Sequence, residues 1–230
     1  MVERVLIGIV ILIFFYTVVP YIFSFGLGLG VYRKNKESKK LAFTFDDGPH
    51  EIYTPMLLDL LNDNNIKATF FVLGSKAEQF PEIIQRMHAE GHLIGMHNYV
   101  HRSNWMMTPR KVLWELNRSA AIVEGITGVR PVYYRPPWGL LNILDYFILK
   151  KFNVVLWSLM VNDWRSVGGS ERVKKELLKK INQGDIILLH DSGETIGADE
   201  DAPYNTIEAL KDVFKEVRQR GFSSVRIDEM

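Results

Sequence analysis

The sequence has no cysteine among its 230 residues and no marked excess of charge of either sign. Without cysteine the chain forms no disulfide, and a thiolate is excluded as a nucleophile and as a metal ligand. The formal net charge is +1, with both signs mixed along most of the chain. Because duplex-binding proteins usually carry a concentrated basic face, we expect no nucleic-acid partner. A metal site in this chain must use histidine and carboxylate side chains.

Charged residues are also lacking between Val5 and Val31, where most positions are Leu, Ile, Val, Phe or Gly. About 20 apolar residues are enough for a helix to cross a bilayer. A signal peptide usually has a shorter apolar core, about 7–15 residues, followed by a small-residue cleavage site. No such site is present here. We therefore expect residues 1–32 to be an uncleaved transmembrane anchor, with a cleaved signal peptide as the alternative.

The residues after this run are basic, which bears on the orientation of the anchor. One arginine, Arg4, precedes the run, and five basic residues follow it: Arg33, Lys34, Lys36, Lys39 and Lys40. The positive-inside rule would place this flank, and the domain behind it, in the cytoplasm. Residues 33–40 lack apolar positions and are predicted to be a charged linker. Residues 41–230 are long enough for one domain with its own core.

Beyond the linker, short apolar runs alternate with helical stretches. The predicted strands are Leu41–Phe45, Ala68–Val72, His92–Met96, Val132–Tyr134, Val154–Leu159, Asp185–Leu189 and Ser224–Ile227. The predicted helices are Tyr53–Asn64, Lys76–Glu90, Thr108–Thr127, Leu140–Lys151, Ser170–Asn182 and Asn205–Arg220. This alternation predicts a mostly parallel sheet covered by helices, either open and doubly wound or an incomplete barrel.

Polar clusters come directly after five of the predicted strands. They are Asp46-Asp47, His97 to His101, Arg135, Asp163 and His190. In barrels and in open α/β sheets, ligands bind at the carboxyl ends of the strands. We therefore expect these five clusters to meet on one rim of the sheet.

Two of these clusters have the composition of a metal site. Asp46 and Asp47 lie in a turn set by Gly48, and two carboxylates this close need a cation or a proton to neutralise one of them. His97 and His101 are four residues apart, a spacing that places both on one face of a helix and is common among metal ligands. One carboxylate and two imidazoles leave coordination positions open for water and substrate, as catalytic sites require. The alternatives are a solvated turn and an unrelated histidine pair.

The remaining clusters carry groups that would complete a hydrolytic site. Arg135 can hold a carboxylate in a fixed two-pronged geometry, and Asp46 is the candidate. Asp163 can hydrogen-bond an imidazole and tune its protonation, and His190 can act as a general acid. Each also fits a structural role when taken alone.

Tryptophan accompanies two of these clusters. Trp138 lies in a loop stiffened by two prolines, where its ring would form a wall against a sugar ring. Trp164 directly follows Asp163 and would pack beneath the site. We predict both as substrate-binding residues.

Together these motifs resemble the polysaccharide deacetylase family, carbohydrate esterase family 4, also described as the NodB homology domain. The matching segments are TFDDGP at 44–49, HNYVH at 97–101, RPPWG at 135–139, MVNDW at 160–164 and LLH at 188–190. They stand in the family's order, and the resemblance covers about Leu41 to Met230. It implies an α/β fold, an incomplete (β/α)7-type barrel.

The resemblance also implies the reaction and a metal ion. The enzyme would remove N-acetyl groups from amino sugars of a polysaccharide, such as peptidoglycan or a chitin-like chain, and release acetate. Asp46 would be the general base. Asp47, His97 and His101 would hold one divalent ion, usually zinc. The implied partners are the glycan and, through the anchor, the membrane, with no protein partner.

The other matching residues would form the opposite wall of the site. Arg135 would position the general base, Asp163 would tune His190, and His190 would protonate the leaving amine. Leu188 would line the pocket for the acetyl methyl group. Since the family acts mostly on cell-wall or extracellular glycans, the resemblance predicts a domain facing outwards, against the positive-inside rule.

Two residues depart from the family's pattern. Asn98 replaces the usual Ser or Thr between the histidines, and Met160 replaces the first aspartate of the fourth motif. Met160 is the one feature that favours an alternative function, a catalytically weak or inactive metal-dependent glycan-binding membrane protein. An amidase acting on a non-sugar substrate would use the same residues.

Overall fold

A parallel sheet forms the centre of the computed structural model, which describes residues 1–35 and 39–230. Its strands are β1 Lys40–Asp46, β2 Thr69–Val72, β3 Leu93–Met96, β4 Tyr133–Tyr134, β5 Asn153–Val154, β6 Leu159–Met160, β7 Ile186–His190 and β8 Ser223–Ser224. The order is β5-β4-β3-β2-β1-β7-β6, and β8 pairs with β1. Among the described residues no pair joins β5 to β6, so the barrel is open there. The expected incomplete (β/α)7-type barrel is confirmed.

Helices occupy the connections between the strands. They are Tyr53–Asp63, Gly74–Gln79, Pro81–Ala89, Pro109–Thr127, Asp145–Ile148, Gly169–Lys180 and Ala202–Gln219, with 3-10 turns at Asn104–Met106, Pro137–Gly139 and Ile227–Glu229. The main core lies between the sheet and these helices, where Phe43 packs edge-on against Phe214 and Phe45 stacks on Phe70. Because side chains alternate along a strand, Asp46 projects to the other face of β1, the barrel interior.

One predicted helix, Lys76–Glu90, is wrong as a single element. The chain forms two helices there, with Phe80 between them at φ −126° and ψ 59°. Pro81 explains the break, because a proline lacks the backbone N–H that an interior helical position needs and pushes the preceding residue out of the α region.

The predicted helix Leu140–Lys151 is also wrong over most of its length. Asn142 Oδ1 accepts a hydrogen bond from the Leu144 amide at 2.9 Å, and Asp145 Oδ2 accepts one from the Asn142 amide at 2.9 Å. Such local side-chain bonds compete with helical bonds, and the helix is confined to Asp145–Ile148.

Two predicted strands differ from the structure by more than one residue at an end. Val154–Leu159 is interrupted, because the carbonyl groups of Val155 and Leu156 accept hydrogen bonds from the Arg135 side chain. The last predicted strand, Ser224–Ile227, gives way to the terminal 3-10 turn.

The N-terminal helix, Val2–Gly26, has 25 residues, and its most apolar 18-residue stretch has a mean hydropathy of 2.6, enough by length and composition to cross a membrane. It is α-helical over Val2–Ile13 and Val19–Tyr21, with π-helical turns at Phe14–Val18 and Ile22–Gly26. Its second half contacts the barrel domain. The Ile143 amide donates to the Tyr16 carbonyl at 3.1 Å, and the Tyr146 hydroxyl donates to the Pro20 carbonyl at 3.2 Å.

The segment after the helix runs beside the open edge of the barrel. The Tyr32 amide donates to the Val154 carbonyl, and the Tyr32 carbonyl accepts from the Leu156 amide, both at 2.8 Å. Lys34 pairs with Asp185 at 2.7 Å. Of the linker predicted over 33–40, residues 36–38 lie outside the described residues. The division into residues 1–32, 33–40 and 41–230 stays a prediction.

Candidate metal centre and active site

A cavity of about 560 Å³ opens at the carboxyl ends of the strands. Five of the residues singled out in the sequence line it: Asp46, Asp47, His97, His101 and His190. The register of the sheet explains part of this arrangement, since Asp46 in β1 lies directly opposite His190 in β7. The structure therefore brings the polar clusters together on one rim.

Asp47, His97 and His101 form a compact group of possible metal ligands. The Nε2 atoms of His97 and His101 lie 3.3 and 3.4 Å from the same Asp47 oxygen, Oδ1. This oxygen is buried and has no hydrogen-bond partner among the described residues. The other oxygen, Oδ2, accepts a hydrogen bond from Thr195 Oγ1 at 2.7 Å. An unpaired buried oxygen facing two ring nitrogens is the arrangement expected of a divalent metal site.

The two histidines reach this position from the loop after β3. Asn98 adopts a left-handed conformation, with φ 65°. Its side-chain amide donates to the Arg102 carbonyl at 3.0 Å, and its Oδ1 accepts from the Tyr134 hydroxyl at 2.9 Å. Because asparagine tolerates this conformation better than most residues, Asn98 serves as a loop-fixing residue between the two imidazoles.

Hydrogen bonding and burial favour the metal-binding forms of these possible ligands. His97 Nδ1 donates to the Arg135 carbonyl at 2.7 Å, which fixes the tautomer whose Nε2 faces Asp47. Burial lowers the pKa of His101 to about 4, so its ring is neutral at pH 7. Burial acts to raise the pKa of Asp47, but the adjacent His97 and His101 lower it overall. A carboxylate and neutral imidazoles are the forms that metal binding requires.

Arg135 holds Asp46 from behind the cavity. Arg135 Nη1 donates to Asp46 Oδ1 at 2.7 Å and lies 2.8 Å from Thr44 Oγ1. The guanidinium group also lies 4.2 Å from the centre of the Phe71 ring. The expected two-pronged contact is wrong, because one nitrogen reaches the carboxylate while Nε and Nη2 bind backbone carbonyls. Asp46 Oδ2 therefore faces the metal-ligand group, 3.9 Å from His97 Nε2.

We expect Arg135→Met to destabilise the protein by about 3–5 kcal/mol, the usual effect of removing one partner of a buried ion pair. Arg135 is fully buried, and its loss leaves Asp46 charged and unpaired. Denaturant unfolding in detergent measures the difference. Arg130→Met is the control, since Arg130 pairs with Glu124 in the solvent and such pairs contribute about 0–1 kcal/mol. Equal stability of the two variants would contradict this account.

Asp163 holds His190 on the opposite side of the cavity. Its Oδ1 lies 3.1 Å from His190 Nδ1, and its Oδ2 accepts from the His190 amide at 2.8 Å. Burial alone would lower the pKa of His190, but the charge and hydrogen bond of Asp163 outweigh it and raise the pKa to about 9. At neutral pH His190 is a protonated imidazolium facing the cavity, the form that a general acid needs.

The predicted substrate-binding residues also line this cavity, together with Met160. The Trp138 ring lies 4.2 Å from the His101 ring, and Trp164 packs edge-on against His190 at 5.3 Å. Leu188 is buried at the base of the same space. An apolar wall beside two charged groups suits a sugar ring carrying a small acyl group.

Sequence reasoning missed Trp157 and two further parts of the cavity wall. One is the loop after β7, from which Thr195 and Ile196 line the cavity. The other is the N-terminal helix, which contributes Tyr21 and Phe25. The loop has no motif of its own. The sequence predicts that the helix residues belong to a membrane span, and no local pattern indicates that a span turns side chains towards a site remote in sequence.

Comparison with known proteins gives a consistent result. Residues 33–155 match the family described as Polysaccharide deacetylase. A peptidoglycan-N-acetylglucosamine deacetylase of Bacillus cereus is 32% identical over 195 residues, which is 83% of this chain and 68% of the relative. The peptidoglycan-N-acetylmuramic acid deacetylase PdaA of Bacillus subtilis is 31% identical over 207 residues, 86% of this chain and 74% of the relative. The crystal structure of the Bc1960 peptidoglycan N-acetylglucosamine deacetylase superposes with a TM-score of 0.82 at 28% identity, covering 90% of this chain and 95% of that one.

Proposed function

The chain belongs to the polysaccharide deacetylase family, and from this premise we propose that it hydrolyses the N-acetyl groups of amino sugars in a glycan of the peptidoglycan or chitin-like type. The named relatives act on N-acetylglucosamine or N-acetylmuramic acid units of peptidoglycan. The observation that carries the proposal is the pairing of two held groups in one cavity. A carboxylate fixed by Arg135 and an imidazolium fixed by Asp163 both line the space beside the metal-ligand group.

Asp47, His97 and His101 are the residues that would hold the metal. Their donor set of one carboxylate and two imidazoles fits zinc and other divalent ions, and the unpartnered Asp47 Oδ1 supports this fit. A divalent ion there would supply Lewis-acid polarisation of the N-acetyl carbonyl and a bound water of lowered pKa.

The proton transfers would fall to Asp46 and His190. Asp46 Oδ2, left free by Arg135, accepts the proton of the water whose oxygen attacks the carbonyl carbon. The C–N bond then breaks, and His190 delivers its proton to the departing nitrogen. The products are acetate and a sugar with a free amine. Arg135 keeps Asp46 oriented, and Asp163 keeps His190 protonated.

The inactive glycan-binding alternative is not favoured. It rests on Met160, which lies at the cavity rim and is 39% exposed. Neither proposed proton-transfer residue depends on it, since Asp46 and His190 have their own partners, Arg135 and Asp163.

We propose that the helix Val2–Gly26 anchors the enzyme in the cell membrane, and that the domain faces outwards, where the cell-wall substrates of the relatives lie. The basic residues after the helix favour the opposite orientation. Protease treatment of intact cells separates the two, because protection of the domain would exclude the outward orientation.

The proposed activity is tested by incubating the purified full-length protein, loaded with zinc, with soluble N-acetylglucosamine oligomers. We expect equal amounts of acetate and of free amine on the sugar. Binding of the oligomers without any acetate would support the glycan-binding alternative. Acetate released from simple acetamides but not from the oligomers would support a non-sugar amidase.

The role of Asp163 predicts a change in pH dependence. With the pKa of His190 near 9, activity should fall as the pH rises through that value, because the general acid loses its proton. Asp163→Asn removes the charge that raises this pKa, so the alkaline limb should move down by about two pH units, towards the ordinary histidine value.

The check on this prediction is the pH profile of kcat on soluble oligomers. The exposed-site variant Asp212→Asn is the control and should keep the parental profile. If Asp163→Asn lowers kcat equally at every pH, Asp163 does not set the protonation of His190.

A further inference from the structure

The N-terminal helix forms part of the cavity that contains the proposed active site. Tyr21 and Phe25 lie on its wall with the metal-ligand group. The Phe25 ring packs edge-on against Trp157 at 5.4 Å, and Arg33 donates a hydrogen bond to the Phe25 carbonyl. A Cβ at Gly139 would lie 2.7 Å from the Phe25 ring, so this close approach depends on glycine. The helix that we propose as the membrane anchor is therefore also part of the site.

The length of the helix determines how near the site lies to the bilayer. Residues 2–15 are exposed except for the half-buried Gly8, whereas contacts with the barrel domain begin at Tyr16. Residues 2–15 extend about 21 Å at 1.5 Å per residue, and the hydrocarbon core is about 30 Å thick. If the helix spans the membrane, its second half enters the bilayer beside the domain. Tyr21 and Phe25 then lie near the headgroups.

The domain surface beside the helix suits such contact. Three large apolar side chains, Met106, Leu144 and Phe147, are exposed there. Each is next in sequence to a residue that is hydrogen-bonded to the helix. The Tyr16 carbonyl accepts from the Ile143 amide, and the Tyr16 hydroxyl donates to the Met107 carbonyl. The Tyr146 hydroxyl donates to the Pro20 carbonyl. Exposed apolar side chains grouped beside a membrane-length helix indicate a membrane-facing surface.

The mouth of the cavity also carries exposed apolar side chains. Ile196, on the loop after β7, is 84% exposed, and Trp138 and Met160 are also exposed around the same opening. A cavity that opens at the headgroups of the bilayer is poorly placed to bind a glycan strand that lies far from the membrane. A sugar attached to a membrane lipid is delivered to it, because its lipid chain stays in the bilayer and its sugar lies among the headgroups.

We propose that the substrate is an N-acetylated amino sugar carried on a membrane lipid, and that the enzyme deacetylates it at the bilayer surface before or without its incorporation into a polymer. This inference rests on the proposed N-deacetylase function and specifies the form of its substrate. The walls formed by Tyr21 and Phe25 contact the part of the substrate nearest the lipid. The sugar and its acetyl group extend towards Asp46 and His190.

The test compares two substrates with the full-length protein in phospholipid vesicles. One is N-acetylglucosaminyl polyprenyl diphosphate in the same vesicles, and the other is a soluble N-acetylglucosamine tetramer. We expect kcat/KM at least tenfold higher on the lipid-linked sugar. An equal or lower value on the lipid-linked sugar, with the tetramer deacetylated, would overturn this inference and leave the proposed function intact. Acetate from neither substrate would overturn both.

A pair of surface variants tests the membrane contact separately. Phe147→Glu places a charge beside the helix, and Val129→Glu places one at a similarly exposed site on the opposite end of the sheet. We expect Phe147→Glu to lower the rate on the lipid-linked sugar at least fivefold with the tetramer rate unchanged, and Val129→Glu to change neither. Equal effects of the two variants on the lipid-linked sugar would contradict a membrane-facing surface around Phe147.

Discussion

Asp46→Asn is expected to lower kcat by about 10³-fold, within the range for loss of a general base. The asparagine side chain keeps an oxygen for the hydrogen bond from Arg135 Nη1 but cannot take a proton from water. Because Asp47, His97 and His101 are untouched, the bound metal should remain. The variant therefore separates proton transfer from metal binding. Acetate release and metal content are measured on the same sample.

The control for Asp46→Asn is Asp59→Asn, which makes the same chemical change at a carboxylate paired with Arg86 on the outside of the domain. The control should keep the parental kcat and melting temperature. A kcat for Asp46→Asn within threefold of the parent, with metal retained, would assign the base to another residue. Loss of the metal in this variant would place Asp46 among the ligands.

The double substitution His97→Ala with His101→Ala is expected to abolish zinc binding and reduce acetate release to background. Both imidazoles face Asp47 Oδ1 at 3.3–3.4 Å, so their loss leaves the Asp47 carboxylate as the only one of the three proposed ligands. A single carboxylate holds zinc far too weakly to survive purification. Elemental analysis after loading with zinc and removal of the unbound ion measures the effect.

His88→Ala is the matched control for this double variant, because His88 is exposed on the helix Pro81–Ala89 and remote from the proposed ligands. It should bind zinc as the parent does. Parental zinc content in the double variant would show that the metal is held elsewhere. Parental activity of the double variant without bound zinc would show that the reaction does not need a metal at this site.

The convergence of the site could be predicted from sequence because it depends on strand order. Asp46 and His190 end two strands whose apolar runs are plain in the sequence, and parallel pairing brings those ends together. The separate roles of Asp46 and Asp47 came from the family resemblance. In the structure the two carboxylates have different neighbours, Arg135 for Asp46 and the two imidazoles for Asp47.

Other features depend on tertiary contacts that no local pattern encodes. The shape of the loop that carries the two histidines could not be predicted from their spacing, because the bonds of Asn98 to Arg102 and Tyr134 hold it. The monodentate contact of Arg135 could not be predicted either. Its remaining nitrogens bind the carbonyls of Val155 and Leu156, where a continuous strand was expected.

The docking of the N-terminal helix is a third such feature. Apolar composition predicted a membrane span, and the same composition hides the fact that Tyr21 and Phe25 contact the cavity. A long hydrophobic run predicts well that a helix lies in lipid. It predicts poorly which face of that helix contacts the domain.

The central claim is that metal held by Asp47, His97 and His101 and proton transfer by Asp46 and His190 act together to deacetylate an amino sugar. The most direct test is a titration of metal-free full-length protein with zinc, in which bound zinc and acetate release from N-acetylglucosamine oligomers are measured together. We predict that acetate release rises in proportion to bound zinc and stops when the site is full. Full acetate release by the metal-free protein, or a filled site that releases none, would contradict the claim.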